Sequence, residues 1–255
     1  MPSFNPIRAV ERAIDVLLAL NRYPVSTLDL LHRQTGIPKP TLVRLLETLQ
    51  GRGLVVHAPQ YGAYSLTSGA KTLSSGYHGE PRIVEAAAGL VDDLTRKIKW
   101  PLALAVPDYD AMIVRYSTIP NSPLALLHST INMRLSLVSR ALGRAYLAFC
   151  SREECSALLD ILKLSPHEED ALVHDAKAVS VMLKQIRKQG YALRAPGVRP
   201  VSGTLAVPVF EGKRVVATIG MTWIASTFGN DKAVERYLEP MQSLSKAITQ
   251  RLASL

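Results

Sequence analysis

The chain has 255 residues, 47% of them hydrophobic, and a formal net charge of +9. That length admits two domains with sizeable cores. No apolar run approaches the ~20 residues of a membrane span, and the two cysteines, Cys150 and Cys155, are too few for a disulfide scaffold. The excess of cations favours polyanionic partners, but it is spread out: the first 80 residues hold eight Lys and Arg against five Asp and Glu. Charge alone therefore identifies no partner. The start, MPSFNPIRAVER, lacks an apolar leader and, with the unpaired thiols, suggests a cytoplasmic protein.

Ile7, Val10, Ile14, Leu17 and Leu18 recur at helical spacing and predict a helix over residues 7–20. Residues 21–24 break it. Ser26 or Thr27 can cap a second helix carrying Leu28, Leu30 and Leu31, with Gly36 as its C-terminal stop. Pro38 and Pro40 mark the next entrance, where a missing N–H costs little. The third helix has a buried stripe of Leu42, Leu45, Leu46 and Leu49, with Pro40, Thr41, Arg44 and Thr48 on an adjoining face. Two helices around a Gly-Ile-Pro turn have the form of a helix-turn-helix, whose second helix enters a DNA groove. Residues 54–57 and 63–67 predict two strands around Pro-Gln-Tyr-Gly, which form a wing. The head therefore spans residues 1–67.

A short helical stretch from Ser68 through Leu73 to Tyr77 predicts a linker helix over residues 68–80. The body, residues 81–255, opens with an amphipathic helix carrying Ile83, Ala87, Leu90, Val91, Leu94 and Ile98. Strands follow over residues 102–106 and 112–116. A helix over 140–150 has Ser139 at its cap, and Ser151 with Glu154 makes a capping box. Residues 170–189 predict one helix, stopped by Gly190. A hairpin over 203–210 and 215–223 precedes a final helix bearing Val234, Leu238, Met241, Leu244, Ile248 and Leu252. The fold class is α+β: a winged helix-turn-helix joined to a mixed domain with an antiparallel sheet.

These pieces resemble the IclR family of bacterial transcription regulators. The resemblance covers nearly the whole chain, through TGIPKPTLVRLLETLQGRGLV and YSLT in the head, then MRLSLVSRALGRAYLAF, QGYAL and GTLAVPVFEGKRVVATIGMT in the body. Within the family, VRLLETLQ, Trp100-Pro101, DAMIVR and AYLAFC are similar to activators of 3-(hydroxyphenyl)propionate catabolism. Ser136, Val138 and Pro40 stand where the family usually has Pro, His and Ser. The resemblance implies a GAF-like effector domain, a homodimer or dimer of dimers on a near-palindromic operator, and control of a catabolic operon. It implies a small, aromatic carboxylic acid effector, more in the manner of an activator than a repressor, and leaves room for contact with RNA polymerase. It calls for no cofactor or metal.

Lys39, Pro40, Thr41, Arg44 and Thr48 are the candidate DNA contacts: Arg forks onto guanine, and Thr meets phosphate or a thymine methyl. Ser26, Thr27, Tyr61 and Lys71 are candidates for the phosphate backbone, with capping or plain exposure as their alternative roles. By resemblance, Leu124, Leu127, Leu135, Ala141 and Leu142 line the effector pocket, facing Ser202, Thr204, Gly220 and Thr222; each leucine would serve equally as core. Arg115, Arg134 and Arg194 can each grip a carboxylate bidentately or form a surface ion pair. Trp100, Tyr116 and Trp223 can form an aromatic wall or pack in the core.

Catalytic motifs with His-Glu-x-x-His, Gly-x-Ser-x-Gly or phosphate-cradling glycines are absent. His167, Glu168, Glu169, Asp170 and His174 read as solvated charge rather than a metal site. Two other classes stay open on the sequence: a winged-helix regulator switched by a protein partner, and an enzyme with an accessory winged helix.

Overall fold

In the computed structural model, which describes residues 6–75 and 82–254, the chain divides into Met1–Gly79 and Glu80–Leu255. In the first unit, helix α1 (Arg8–Arg22) buries Val16 and Leu20. They pack with Leu31, Ile37, Leu42, Leu46, Leu49 and Val55 in one small core. The core face is not the expected stripe: of its residues only Leu17 packs against this core, while Ile7, Val10, Ile14 and Leu18 stay 51–70% exposed on another face.

Strand β1 (Ser26–Thr27) leads into helix α2 (Leu28–Thr35), where Thr27 accepts the Leu30 N–H. Gly36 ends α2 in the left-handed region, at φ 68°, a conformation that costs glycine little. Ile37, 4% exposed, plugs the turn, and helix α3 (Lys39–Gly51) begins directly after Pro38. Strands β2 (Val55–Ala58) and β3 (Ala63–Leu66) pair antiparallel, and β1 joins on the far side of β3. The wing tip is a 3-10 turn, Pro59–Tyr61.

After the wing, Thr67 accepts the Gly69 N–H. A Cβ on Gly69 would lie 2.5 Å from the Gly53 carbonyl oxygen, so only glycine allows this approach. The described part of the expected linker helix is a 3-10 segment, Ser68–Leu73. Tyr77 and the rest of that expectation lie outside the described residues.

The second unit begins with α4 (Arg82–Ile98), then the hairpin β4 (Leu102–Asp108) and β5 (Ala111–Ser117). Next come β6 (Arg134–Ser136), α5 (Ala141–Phe149), α6 (Arg152–Leu162) and α7 (Ala176–Gln189). The chain closes with β7 (Ala192–Leu193), β8 (Ser202–Glu211), β9 (Arg214–Ile224) and α8 (Asn230–Ser254). The described strands form a sheet in the order β6-β5-β4-β9-β8-β7, with antiparallel neighbours throughout. Helices α4 and α8 cover one face around Trp223, Met241 and Ile248. Helices α5, α6 and α7 cover the other around Met112, Tyr146 and Met182. Burial on both faces explains why β8 and β9 read as nearly continuous apolar runs.

Two local expectations change, and two short strands were not expected. The helix over 170–189 is a 3-10 segment, Glu168–His174, followed by α7, because Asp175 leaves helical geometry to cap Ala178 N. Ser139 does not cap α5: its hydroxyl is buried without a partner. Ser136 Oγ instead accepts the N–H groups of Val138 and Ser139, both at 3.3 Å. Strands β6 and β7 are too short to show a period.

Candidate functional site

The head presents α3 with one face inward through Leu42, Leu46 and Leu49 and the opposite face in solvent. Lys39, Pro40, Arg44 and Thr48 are exposed, and Thr41 is half-buried. Glu47 and Gln50 share the exposed side and were not singled out from the sequence. Thr48 Oγ1 donates to Arg44 O at 2.7 Å, leaving its oxygen free to accept.

Lys39 is engaged rather than free. Its Nζ lies 2.5 Å from Asp29 Oδ1 on α2, and this contact holds the Asp29 carboxyl below its ordinary pKa. Both side chains are at least half exposed, so the bond can exchange for a phosphate. Ser26 is a correction: it is fully buried, and its hydroxyl donates to Tyr23 O at 2.8 Å, which removes it from any DNA-facing surface. Thr27 acts as the cap of α2. Tyr61 at the wing tip is 74% exposed, and Lys71 is exposed on the 3-10 segment. His57 stacks on Tyr64, ring centroids 4.4 Å apart, and stiffens the wing.

The second unit contains a cavity of about 340 Å³ between the start of α5, the open end of the sheet and the irregular segment before β6. Leu127, Leu135, Ala141 and Leu142 line it, facing Ser202, Thr204 and Thr222. Four expected residues do not line it. Leu124 is more than a third exposed on the same irregular segment. Gly220 is covered by Leu142, whose Cδ1 would lie 2.5 Å from an added Cβ. Arg115 is spent on Asn132 and Asp108. Arg134 bonds Asp110 at 2.8 Å and Asp170 at 2.9 Å. Burial opposes the Arg134 charge, but these two carboxylates outweigh it and raise its pKa. The aromatic wall is likewise elsewhere: Trp100 and Trp223 pack with Phe228 in the α4–α8 core, and Tyr116 donates to Asp92.

Of the cavity-wall cations, the one that bonds the polar strand residues, with no carboxylate partner among the described residues, is Arg194, just beyond β7. Its Nη1 donates to Ser202 Oγ at 2.8 Å, Ser202 O at 3.0 Å and Arg199 O at 3.2 Å, and Nη2 donates to Thr204 Oγ1. All four acceptors are neutral, and among the described residues no carboxylate lies within salt-bridge reach. Burial pushes its pKa down to about 10, and the nearby Arg140 and Arg199 charges push the same way. A half-buried cation held by neutral acceptors is a site for an incoming anion. Arg140 and Arg199 also line the wall. The sequence signal for this end was the pair Arg194 and Arg199 bracketing an Ala-Pro-Gly-Val turn. Ser117 and Thr130, also on the wall, bond each other at 3.0 Å.

Elsewhere, Asp170 is 1% exposed in its bond to Arg134, and among the described residues no three His, Cys, Asp or Glu side chains gather as metal ligands. No helix among the described residues is long and apolar enough to cross a membrane.

Comparisons with known proteins place this architecture. The helix-turn-helix domain of IclR matches residues 9–59, and the C-terminal domain of the bacterial transcriptional regulator IclR matches residues 76–250. The chain is 28% identical over 250 residues to the transcriptional regulator XynR of Escherichia coli K12, covering 96% of this chain and 97% of the relative. It is 24% identical over 244 residues to the transcriptional repressor IclR of the same organism, covering 92% and 86%. A crystal structure of an IclR homologue from Microbacterium hydrocarbonoxydans, complexed with 4-hydroxybenzoate, superposes with a TM-score of 0.62 at 17% identity. That match covers 97% of this chain and 100% of the homologue.

Proposed function

We propose, for a chain that belongs to the IclR family of DNA-binding transcription regulators, that a small aromatic carboxylic acid in the second unit's cavity controls DNA binding by the head. The relatives are regulators rather than enzymes. The observation that carries the effector reading is Arg194, a half-buried cation with only neutral hydrogen-bond partners, on the wall of a largely apolar cavity. An apolar pocket with a few placed polar groups suits one small organic ligand, and a carboxylate compensates the cation. The homologue that binds 4-hydroxybenzoate supports the same ligand class. An open cavity also disfavours control by a protein partner alone.

The resemblance to activators of 3-(hydroxyphenyl)propionate catabolism supports an activator of an aromatic catabolic operon. The exposed face of α1 supports a homodimer. Ile7, Val10, Ile14 and Leu18 recur at three- and four-residue spacing, the seam of a two-helix contact, on a head that covers only a half-site. A second copy of the chain is the occupant that two-fold operator symmetry requires.

The test is a thermal-shift screen with benzoate, 4-hydroxybenzoate, 3-phenylpropionate and 3-(3-hydroxyphenyl)propionate, followed by operator binding with and without the acid that shifts. An acid that raises the melting temperature and changes operator affinity supports the reading. Failure of all four to shift the protein, or a shift that leaves operator binding untouched, refutes it.

A further inference from the structure

Charged side chains gather at one end of the cavity. Arg140, Arg194 and Arg199 lie on its wall, and one carboxylate, Glu169, answers them. Arg140 Nε donates to Glu169 Oε2 at 2.7 Å, and Nη2 donates to Oε1. That side-on fork is the grip an arginine gives any carboxylate. An entering acid would seek the same grip, from a guanidinium that faces the same cavity.

We propose that Glu169 is an internal competitor for the effector's carboxylate: it occupies Arg140 while the cavity is empty and yields it when an acid, drawn in by Arg194, takes up the Arg140 fork. The proposal rests on the reading of the cavity as an acid site. Burial makes the exchange one-sided. The Arg140 side chain is 13% exposed and needs a partner; that of Glu169 is 41% exposed and can turn into water. Its backbone need not move, because Ser136 Oγ holds the Glu169 carbonyl at 3.1 Å. Two carboxylates cannot both claim one Arg140 fork, so the resident anion weakens acid binding while leaving neutral ligands unaffected. Glu169 thereby sets the acid concentration at which the protein responds.

Calorimetry on the full chain tests this with 3-(3-hydroxyphenyl)propionate and its primary amide, a neutral molecule of nearly the same shape. Glu169→Gln should tighten the acid about tenfold, which is ~1.4 kcal/mol, with the amide unchanged. Glu169→Asp keeps the charge but shortens the arm, so it should also tighten the acid, by a smaller factor. Wild-type acid affinity in both variants overturns the proposal. Tightening in Glu169→Gln alone also overturns it, because charge rather than competition for Arg140 would then explain the effect. Equal tightening of acid and amide does the same, since the effect would then be general repacking. The underlying reading fails separately, and takes this proposal with it, where the wild-type protein does not bind the acid or Arg194→Gln leaves acid affinity intact.

Discussion

Ala141→Phe is the sharpest perturbation of the cavity. Ala141 is 1% exposed, opens α5 and lines the 340 Å³ space. A benzene ring needs roughly 150 Å³, so the new side chain would leave about 190 Å³, below the ~300 Å³ floor of ligand pockets. The ring enters a void rather than a filled core. Its cost should therefore fall at the low end of the ~1–3 kcal/mol typical of overpacking. The unliganded variant should melt no more than ~4 °C below wild type. An acid at a hundred times its Kd stabilises the wild type by about 2.7 kcal/mol, a shift of ~5–11 °C for a protein of this size. The variant should show no such shift in a thermal melt and no effector response in transcription, while operator affinity without effector stays at the wild-type value. A variant that still shifts with unchanged acid affinity would show that the ligand binds elsewhere.

Arg44→Ala should weaken specific DNA binding by ~1–3 kcal/mol and relax the preference at one base pair, as read by anisotropy with operator variants. Lys39→Ala should weaken all sequences alike and reduce the salt slope by about one; Asp29→Asn, which frees Lys39, should strengthen non-specific binding. Ile14→Asp places a charge in the exposed α1 stripe, so light scattering should report dissociation of the dimer and operator affinity should fall together; an intact dimer would refute the seam. The two cysteines predict a pH effect. The neighbouring Cys150, with help from Arg187 and against burial, pulls the Cys155 thiol from 9 to about 7. Because its folded value is depressed, the stabilisation is complete above ~9 and is lost as pH falls through ~7. The melting temperature should therefore rise from pH 7 to 9, and Cys155→Ala should flatten the rise. Above 9 the trend should reverse, because Cys155 and burial push the Cys150 thiol up.

The head was legible because each of its decisions is local. Gly36 and Thr27 punctuate α2, and the Leu42, Leu46 and Leu49 stripe fixes which face of α3 turns inward. The divided role of α1 was not legible. Val16 and Leu20 obey the same period as Val10, Ile14 and Leu18, and a helical period cannot say which apolar face meets its own core and which awaits another surface. In the body, long paired strands showed through their apolar runs. β6 and β7, at three residues and two, hold their places by pairing with β5 and β8, a property of neighbours distant in sequence.

The cavity's charged end was the hardest feature to read, for a reason that applies to any arginine. Arg115, Arg134 and Arg194 are equivalent on paper. What separates them is whether the fold brings a carboxylate to them, and those of Arg134 lie far along the chain: Asp110 is 24 residues away and Asp170 is 36. Arg134 is neutralised by Asp110 and Asp170 and becomes a strut. Arg194 is left facing hydroxyls and carbonyls. A strut and a ligand anchor thus differ in what is missing beside them, and sequence records only what is present. The apolar wall was easier, since Leu135, Ala141 and Leu142 sit in a continuous run around the start of α5. Even there Gly220 misled. Its missing side chain makes room for Leu142 rather than for a ligand, so a small residue on a sheet marks close packing as readily as open space.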